Sequence, residues 1–523
     1  MARNTNTQSA KRNVDSKMAS LPAAIKPVAP MPGIELFFGL VGPTGTNLDS
    51  VCDELSNQLA AVGYRTEIIS LSSLISAYSE LSFPPDNAYS KIKALMNEGT
   101  RLREKSRTGD FVAKLALVEI VTRRESKTGA GHRPAEKTAY ILRSFKRREE
   151  VELFRTIYGK AFNLISIYSS LEDRLDSLSN DLARAAKQRK HVMEHKALEL
   201  INIDANEEGK ELGQNVRETF PLADYFVTLK DPSLLRDQLK RFVELVFENP
   251  YITPTKDEYS MFLAQAAALR SSDLARQVGA VIVSQEGEVL ATGCNEVPKA
   301  GGGLYWAEDE APRRDVELGY DKNSKIKREL VEELFYKLSK AKWLDKEIGK
   351  KSSQELYSQA TMKHRGVLYD SQILDVIEFG RSVHAEMAAI TDASKRGVSV
   401  KGARLFCTTF PCHLCARHLV SSGLAEVIYI EPYPKSRTEE LYSDSIAVNP
   451  KHSISGLVNF FPFVGVAPRR YFDFFQLFRK RKNDDGDIVN WKNEKKEPRV
   501  KRFVLSYIML EMQAIGSLPT AQI

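Results

Sequence analysis

The sequence predicts an α/β chain built as two sheet-containing units. Three observations carry this. Residues 34–70 read as strand, glycine turn, helix and strand, the opening of a parallel sheet. The stretch FENPYITPTKDE (247–258) then interrupts the pattern with two prolines. Beyond it, QVGAVIVSQEGEVLATGCNEVP (277–298) reads as a hairpin, two apolar runs about a Gln-Glu-Gly turn. At 523 residues the chain also exceeds the roughly 250–300 residues that one hydrophobic core supports.

The elements follow in order. GIELFFGLVG is an apolar strand that runs into the turn GPTGT. In NLDSVCDELSNQLAAVG, Val51, Leu55, Leu59 and Val62 recur at helical spacing, and YRTEIISLS is the second strand. KLALVEIV, TAYILRSF and AFNLISIYSS each predict a short buried strand. RLDSLSNDLARAAKQRKHVMEHKALELI predicts one long, charged, exposed helical region. NVRETFPLADYFVTLKD holds the last strand of this unit, before a helix near Leu234 to Val246.

In the second unit YSMFLAQAAALRSS predicts an alanine-rich helix ahead of the hairpin. An insertion spans about 298–380, with Ile326, Leu330, Leu334, Leu338 and Ala341 forming one helical stripe. AEVIYIEPY is a further strand. The expected division is a disordered leader 1–33, units at 34–248 and 256–480, and a basic extension 481–523.

Composition narrows the function classes. Apolar residues make up 42% and charged residues 27%, as in soluble proteins, and no apolar run approaches the roughly 18–20 residues that cross a bilayer. The leader has no apolar core of a signal peptide. Five cysteines, an odd number in so long a chain, give no disulfide framework, and a reducing cytoplasm fits. A net charge of +7 suits anionic ligands such as nucleotides without demanding a polynucleotide.

The chemistry concentrates in VHAEMAAI and LFCTTFPCHLCARHL. Zinc favours nitrogen and sulfur ligands, three of them from protein when a position must stay open for water. Cys412 and Cys415 share one helical turn, Pro411 suits the first position of that helix, and His384 adds an imidazole from the start of another. Glu386 then lies close to the metal without having to bind it, a carboxylate free to carry a proton. A lone C-x-x-C also fits a redox pair or half a structural zinc site. However, Cys407, His413 and His418 lack paired spacing, and redox use explains neither His384 nor Glu386. The order H-x-E then P-C-x-x-C is that of zinc deaminases.

Through LRSSDLARQVGAVIV, GCNEVP, VHAEMAAI, TTFPCHLCARHL and IYIEPY, residues 256–435 resemble the deoxycytidylate deaminase family. The resemblance implies a cytidine-deaminase-like α/β/α sandwich around a mixed five-stranded sheet. It also implies hydrolysis at C4 of cytosine with release of ammonia. It assigns His384, Cys412 and Cys415 to zinc, Glu386 to proton transfer, Asn295 to the sugar and base, Arg270 and Ser272 to the phosphate, and Tyr433 to an aromatic contact. Read as residues alone, Arg270 and Tyr433 suit surface pairing and core packing equally well. Asn295, directly after an apolar strand, is aimed at the strand-end crevice.

A polymer substrate would need a basic track. The tail FFPFVGVAPRRYFDFFQLFRKRKND interleaves aromatic and basic residues, which suits either single-strand binding or a last strand and helix with a charged exit. The insertion from Trp306 to Trp343 is better placed to close over a small substrate.

In the first unit GLVGPTGTN departs from a phosphate loop, with Thr46 where lysine belongs and Asn47 where Ser/Thr belongs. Gly42, Gly45 and Thr46 can still cradle phosphate through backbone N–H groups, without phosphoryl transfer. A degenerate P-loop kinase-like unit ahead of such a deaminase resembles the bacterial anti-phage dCTP deaminases. That resemblance implies conversion of dCTP and dCMP to dUTP and dUMP. It further implies a nucleotide effector at the first unit, an inhibitory small RNA, a homo-oligomer and no membrane. The alternatives are a deaminase of bases in single-stranded nucleic acid and a non-enzymatic nucleotide-binding regulator with structural zinc.

Overall fold

The computed structural model describes residues 34–81, 87–362, 365–369, 371–433, 436–499 and 504–518. The expected leader, 1–33, lies outside them. The first unit runs β1 (Leu36–Val41), α1 (Leu48–Ala61), β2 (Arg65–Ser70), α2 (Leu71–Tyr78), α3 (Ala88–Ser106), α4 (Phe111–Thr128), β3 (Thr138–Arg143) and α5 (Arg148–Tyr158). It continues with β4 (Phe162–Tyr168), α6 (Leu171–Ala186), α7 (Lys190–Ala205), β5 (Tyr225–Thr228) and α8 (Pro232–Val246). The strands lie in the order β2-β3-β1-β4-β5, all parallel.

Both faces of this sheet are covered, which is why its strands read as unbroken apolar runs. Phe37, Tyr140, Leu142 and Leu164 pack toward α4 and α5. Leu36, Phe38, Leu40, Ile141 and Ile165 pack toward α1 and α8. The first unit is thus doubly wound, with β1 central and the Gly42–Thr46 turn at its C-terminal end.

Two expectations fail here. KLALVEIV is not a strand; it lies inside α4, where Val112, Ala113, Leu115, Ala116, Leu117 and Ile120 are all buried. A short apolar run has the same pattern in a buried strand and a buried helix, and only length separates them. The long helical region is two helices, α6 and α7, broken at Lys187 in a left-handed conformation (φ 51). It is not simply exposed, since Leu178, Leu182, Met193, Ala197, Leu200 and Ile201 form a buried seam between them.

The second unit comprises α9 (Lys256–Ala268), β6 (Gly279–Val283), β7 (Val289–Cys294), α10 (Lys322–Lys340), α11 (Ala385–Lys395), β8 (Arg404–Thr409), α12 (His413–Ser421), β9 (Glu426–Glu431), β10 (Ile446–Val448) and β11 (Val458–Pro462). Its sheet has the order β10-β11-β9-β8-β6-β7, with β6 antiparallel to both its neighbours. It therefore has six strands where five were expected, β10 being the addition. Residues alternate by face, as the two-residue period of a strand requires. Ile282, Leu405, Cys407 and Val427 meet α11 and α12. Val281, Val283, Phe406 and Ile428 meet Met261 and Ala264 of α9.

The tail divides between the units. Strand β11 pairs with β9, and β12 (Gly465–Val466) then crosses to pair antiparallel with β5 of the first sheet. The Val466 N–H donates to Glu258 Oε1 (2.9 Å), and Phe226, Met261, Phe406, Ile428 and Phe463 share one core between the units. The last helix, α13 (Val504–Gly516), packs on α4 and α5. Within the expected extension 481–523, the described helix Val504–Gly516 thus lies against the first unit.

In the insertion, α10 forms as expected, but Val331 is its one buried residue, and Leu330 and Leu334 are each 43% exposed. No described helix is long and apolar enough to cross a membrane.

Candidate active site

The site is built where two helices begin against the second sheet. His384 is the N-cap of α11, and Cys412 is the N-cap of α12. Pro411 consequently stands before the cap and not at the first helical position. This placement brings the two sulfurs together, because an N-cap side chain lies over the third residue of its helix, here Cys415. Helix α11 can rest directly on β7 because residue 293 is glycine. A Cβ there would fall 2.2 Å from the Ala385 carbonyl oxygen and 2.4 Å from the Ala389 nitrogen.

His384 Nδ1 lies 3.3 Å from Cys412 Sγ and 3.3 Å from Cys415 Sγ. Usual zinc–nitrogen and zinc–sulfur lengths predict roughly 3.5 Å for the edge of a tetrahedral site. One imidazole and two thiols at this spacing therefore fit zinc. Among the described residues no fourth His, Cys, Asp or Glu joins the group, which leaves one position for water. Zinc bound by these residues supplies the Lewis acidity that activates water near neutral pH.

The cluster has marked internal electrostatics. Its hydrogen bond to Cys412 pushes the His384 imidazole up to about 9, against the effect of burial. The hydrogen bond from Cys415 lowers the Cys412 thiol, and the same bond raises Cys415. Beside them Glu386 is 4% exposed, and burial raises its carboxyl above the ordinary range. A buried carboxyl beside the cluster is placed where a proton carrier is needed.

These groups open on a cavity of about 230 Å³, lined among others by His384, Glu386, Cys412, Asn295, Tyr433 and Arg276. The insertion supplies its roof through Asp315, Asp321, Asn323 and Ile377. The structure thus brings together the three expected ligands, Glu386, Asn295 and Tyr433. It does not bring Arg270 or Ser272 to the cavity wall. The Arg270 guanidinium stacks 3.6 Å over the Trp306 ring and donates to the Leu304 carbonyl (3.0 Å). Ser272 donates through its hydroxyl (2.7 Å) and its N–H (3.0 Å) to Glu296.

Asn295 is engaged too. Its amide donates to the Arg276 carbonyl (2.8 Å) and accepts from the Val278 N–H (2.7 Å), pinning the loop before β6. Sequence reasoning missed Arg276 and the Asp315–Arg381 pair (2.6 Å) beneath the roof. LARQVGAV shows a second arginine after Arg270, but only side-chain pairing tells the two apart.

The turn of the first unit is also occupied. The Thr44 N–H donates to Asp204 Oδ2 (2.7 Å), and Lys146 Nζ pairs with Asp204 Oδ1 (2.8 Å) and donates to the Gly42 carbonyl (3.2 Å). Asp204, from the end of α7, is fully buried. Gly45 has φ +92, and a Cβ there would meet the Arg174 carbonyl oxygen of α6 at 2.6 Å. Helices α6 and α7 thus close over the turn, and a carboxylate takes the place beside Thr44 that a phosphate would take.

The metal assignment carries a direct prediction. Purified protein is expected to hold about one zinc per chain, and Cys412→Ser to hold markedly less, by elemental analysis after dialysis.

Comparison with known proteins agrees with this geometry. The family described as "Cytidine and deoxycytidylate deaminase zinc-binding region" matches residues 254–431. A probable deoxycytidylate deaminase of Drosophila melanogaster is 26% identical over 202 residues, 38% of this chain and 72% of that protein. ComE operon protein 2 of Bacillus subtilis is 42% identical over 53 residues, 10% of this chain and 28% of its own. Deoxycytidylate deaminase of Enterobacteria phage T4 is 38% identical over 55 residues, again 10% of this chain and 28% of its own. A crystal structure of dCMP deaminase from cyanophage S-TIM5 with dCMP and dUMP covers 40% of this chain and 99% of that one. Its identity is 16% and its TM-score 0.22, too loose a superposition to bear on the fold. Residues 254–431 of the second unit, which hold the His384, Cys412 and Cys415 cluster, are thus similar to the zinc-binding region described for cytidine and deoxycytidylate deaminases.

Proposed function

We propose that this chain is a zinc-dependent hydrolase that deaminates free deoxycytidine nucleotides, dCMP and dCTP, to dUMP and dUTP with release of ammonia. The observation that carries this reading is the buried Glu386 carboxyl beside the His384, Cys412 and Cys415 cluster, on the wall of a cavity roofed by the insertion. Glu386 takes a proton from the attacking water and delivers one to the departing amine. The roof excludes solvent, and Tyr433 offers a ring face toward the base.

In this reading the enzyme works in the cytoplasm as a homo-oligomer and lowers dCTP during phage infection. The unit at 34–248 is a degenerate P-loop kinase-like regulator, open to a nucleotide effector or an inhibitory small RNA. The crossing of β12 to the first sheet and the shared core give the two units a direct contact through which such regulation can act.

Product analysis from dCMP, dCTP, CTP and a single-stranded oligodeoxynucleotide, with and without a chelator, tests the reading. Uracil nucleotide from the free deoxynucleotides, lost on chelation, is the expected result. Turnover of the oligonucleotide alone overturns it.

The effector role has its own test. With Asp204 beside Thr44 N–H and Lys146, an incoming phosphate must displace a carboxylate. Asp204→Asn is therefore expected to bind ATP at least about tenfold more tightly than the wild type by equilibrium dialysis. Equal affinity would remove Asp204 from the control of that turn.

A further inference from the structure

The guanidinium groups around the cavity are not equivalent. Arg270 is committed to Trp306 and to the Leu304 and Tyr305 carbonyls. Arg381 is committed to Asp315 at 2.6 Å and to the Arg313 carbonyl at 2.8 Å. Arg276 lines the cavity, is exposed, and has no ion pair or side-chain hydrogen bond among the described residues. Its guanidinium lies 5.3 Å from the centroid of the Tyr433 ring, and its charge acts on the Glu431 carboxyl without forming an ion pair.

The backbone beneath Arg276 is held in place. Asn295 bonds the Arg276 carbonyl and the Val278 N–H, and Gln277 Nε2 donates to the Ser271 carbonyl at 2.7 Å. The loop is thereby built to present a cation that the fold itself does not use. A fixed loop lowers the ordering cost of capturing a ligand.

The acidic groups lining the cavity are already engaged. Asp315 pairs with Arg381. Asp321 accepts from the Asn323 N–H and the Ser324 hydroxyl, and Asp273 from the Ala275 and Arg276 N–H groups. Glu386 is buried deep in the site and Arg276 lies at the exposed rim. A nucleotide with its base against Glu386 has its charged end free to reach that rim.

We infer that Arg276 recognises the 5′-phosphate of the nucleotide and sets the preference of this site for nucleotides over nucleosides. The inference rests on the deaminase reading above. It moves the phosphate contact from Arg270, which the fold consumes, to an arginine whose planar fork is free to take phosphate oxygens in pairs. Tyr433 steers the guanidinium by a cation–π contact.

Steady-state kinetics of the full chain with deoxycytidine, dCMP and dCTP provide the test. In Arg276→Gln, the ratio of kcat/KM for dCMP to that for deoxycytidine is expected to fall about 10- to 100-fold, mostly through KM. Arg276→Lys should recover part of the loss, and rising salt should raise the KM for dCMP in the wild type more than in Arg276→Gln. An unchanged ratio, or an equal loss on all three substrates at full zinc content, overturns the inference while leaving the deaminase reading intact. If the wild type converts none of the three, it is the deaminase reading that fails.

Discussion

Glu386→Gln is expected to lower kcat for deamination by about 10²–10⁴-fold while the protein keeps its zinc. Glutamine has nearly the same shape, so the wall of the cavity stays intact. What disappears is the buried carboxyl beside the cluster that can exchange a proton there. Burial raises this carboxyl above the ordinary carboxylate range. The measurement pairs single-turnover kinetics with zinc analysis of the same preparation. Activity within tenfold of the wild type would show that another group moves the proton. Loss of zinc together with activity would make Glu386 a ligand and not a base.

Arg124→Ala is expected to cost about 3–5 kcal/mol, because it strands two buried carboxylates. Arg124 is fully buried and pairs with Glu35 at 2.9 Å and with Glu511 at 2.7 Å, both also fully buried. Tyr158 donates to Glu511 (2.7 Å), and Tyr507 (2.9 Å), Tyr140 (3.2 Å) and the Ala135 N–H (2.9 Å) donate to Glu35. One guanidinium thus serves two acids that lie 476 positions apart, at Glu35 and Glu511, and ties α13 to the start of β1. Urea unfolding should show an earlier first transition, and limited proteolysis should release α13. Glu511→Gln keeps one full Arg–Glu pair and should cost less. A first transition at the wild-type midpoint in Arg124→Ala would show that the cluster does not hold this unit together.

Different parts of the molecule were legible in the sequence to different degrees. Most strands of the two sheets could be read because they are short, largely apolar and bounded by turns, but the short β10 and β12 could not. The helix α4 could not, since KLALVEIV is mostly buried, with Val118, Glu119 and Val121 only partly exposed, and so shows little period of its own. The stripe from Ile326 to Ala341 predicted a helix correctly but not its environment, because periodicity says which residues share a face and nothing about what covers them. Pro411 was placed two steps too far into its helix, because Cys412 takes the cap position itself.

By itself the sequence pointed to the candidate metal ligands and to the carboxyl beside them. His384, Glu386, Cys412 and Cys415 sit within two short stretches, and spacing along each helix start sets the positions within a stretch, while packing on the second sheet brings the two stretches together. Only the tertiary structure decided which arginine remains free at the cavity, that Asp204 closes the turn after β1, and that the tail returns to the first sheet. Each of these is a competition among groups far apart in the chain for the same charge, hydrogen bond or strand edge. The winner depends on distances that the order of residues does not contain.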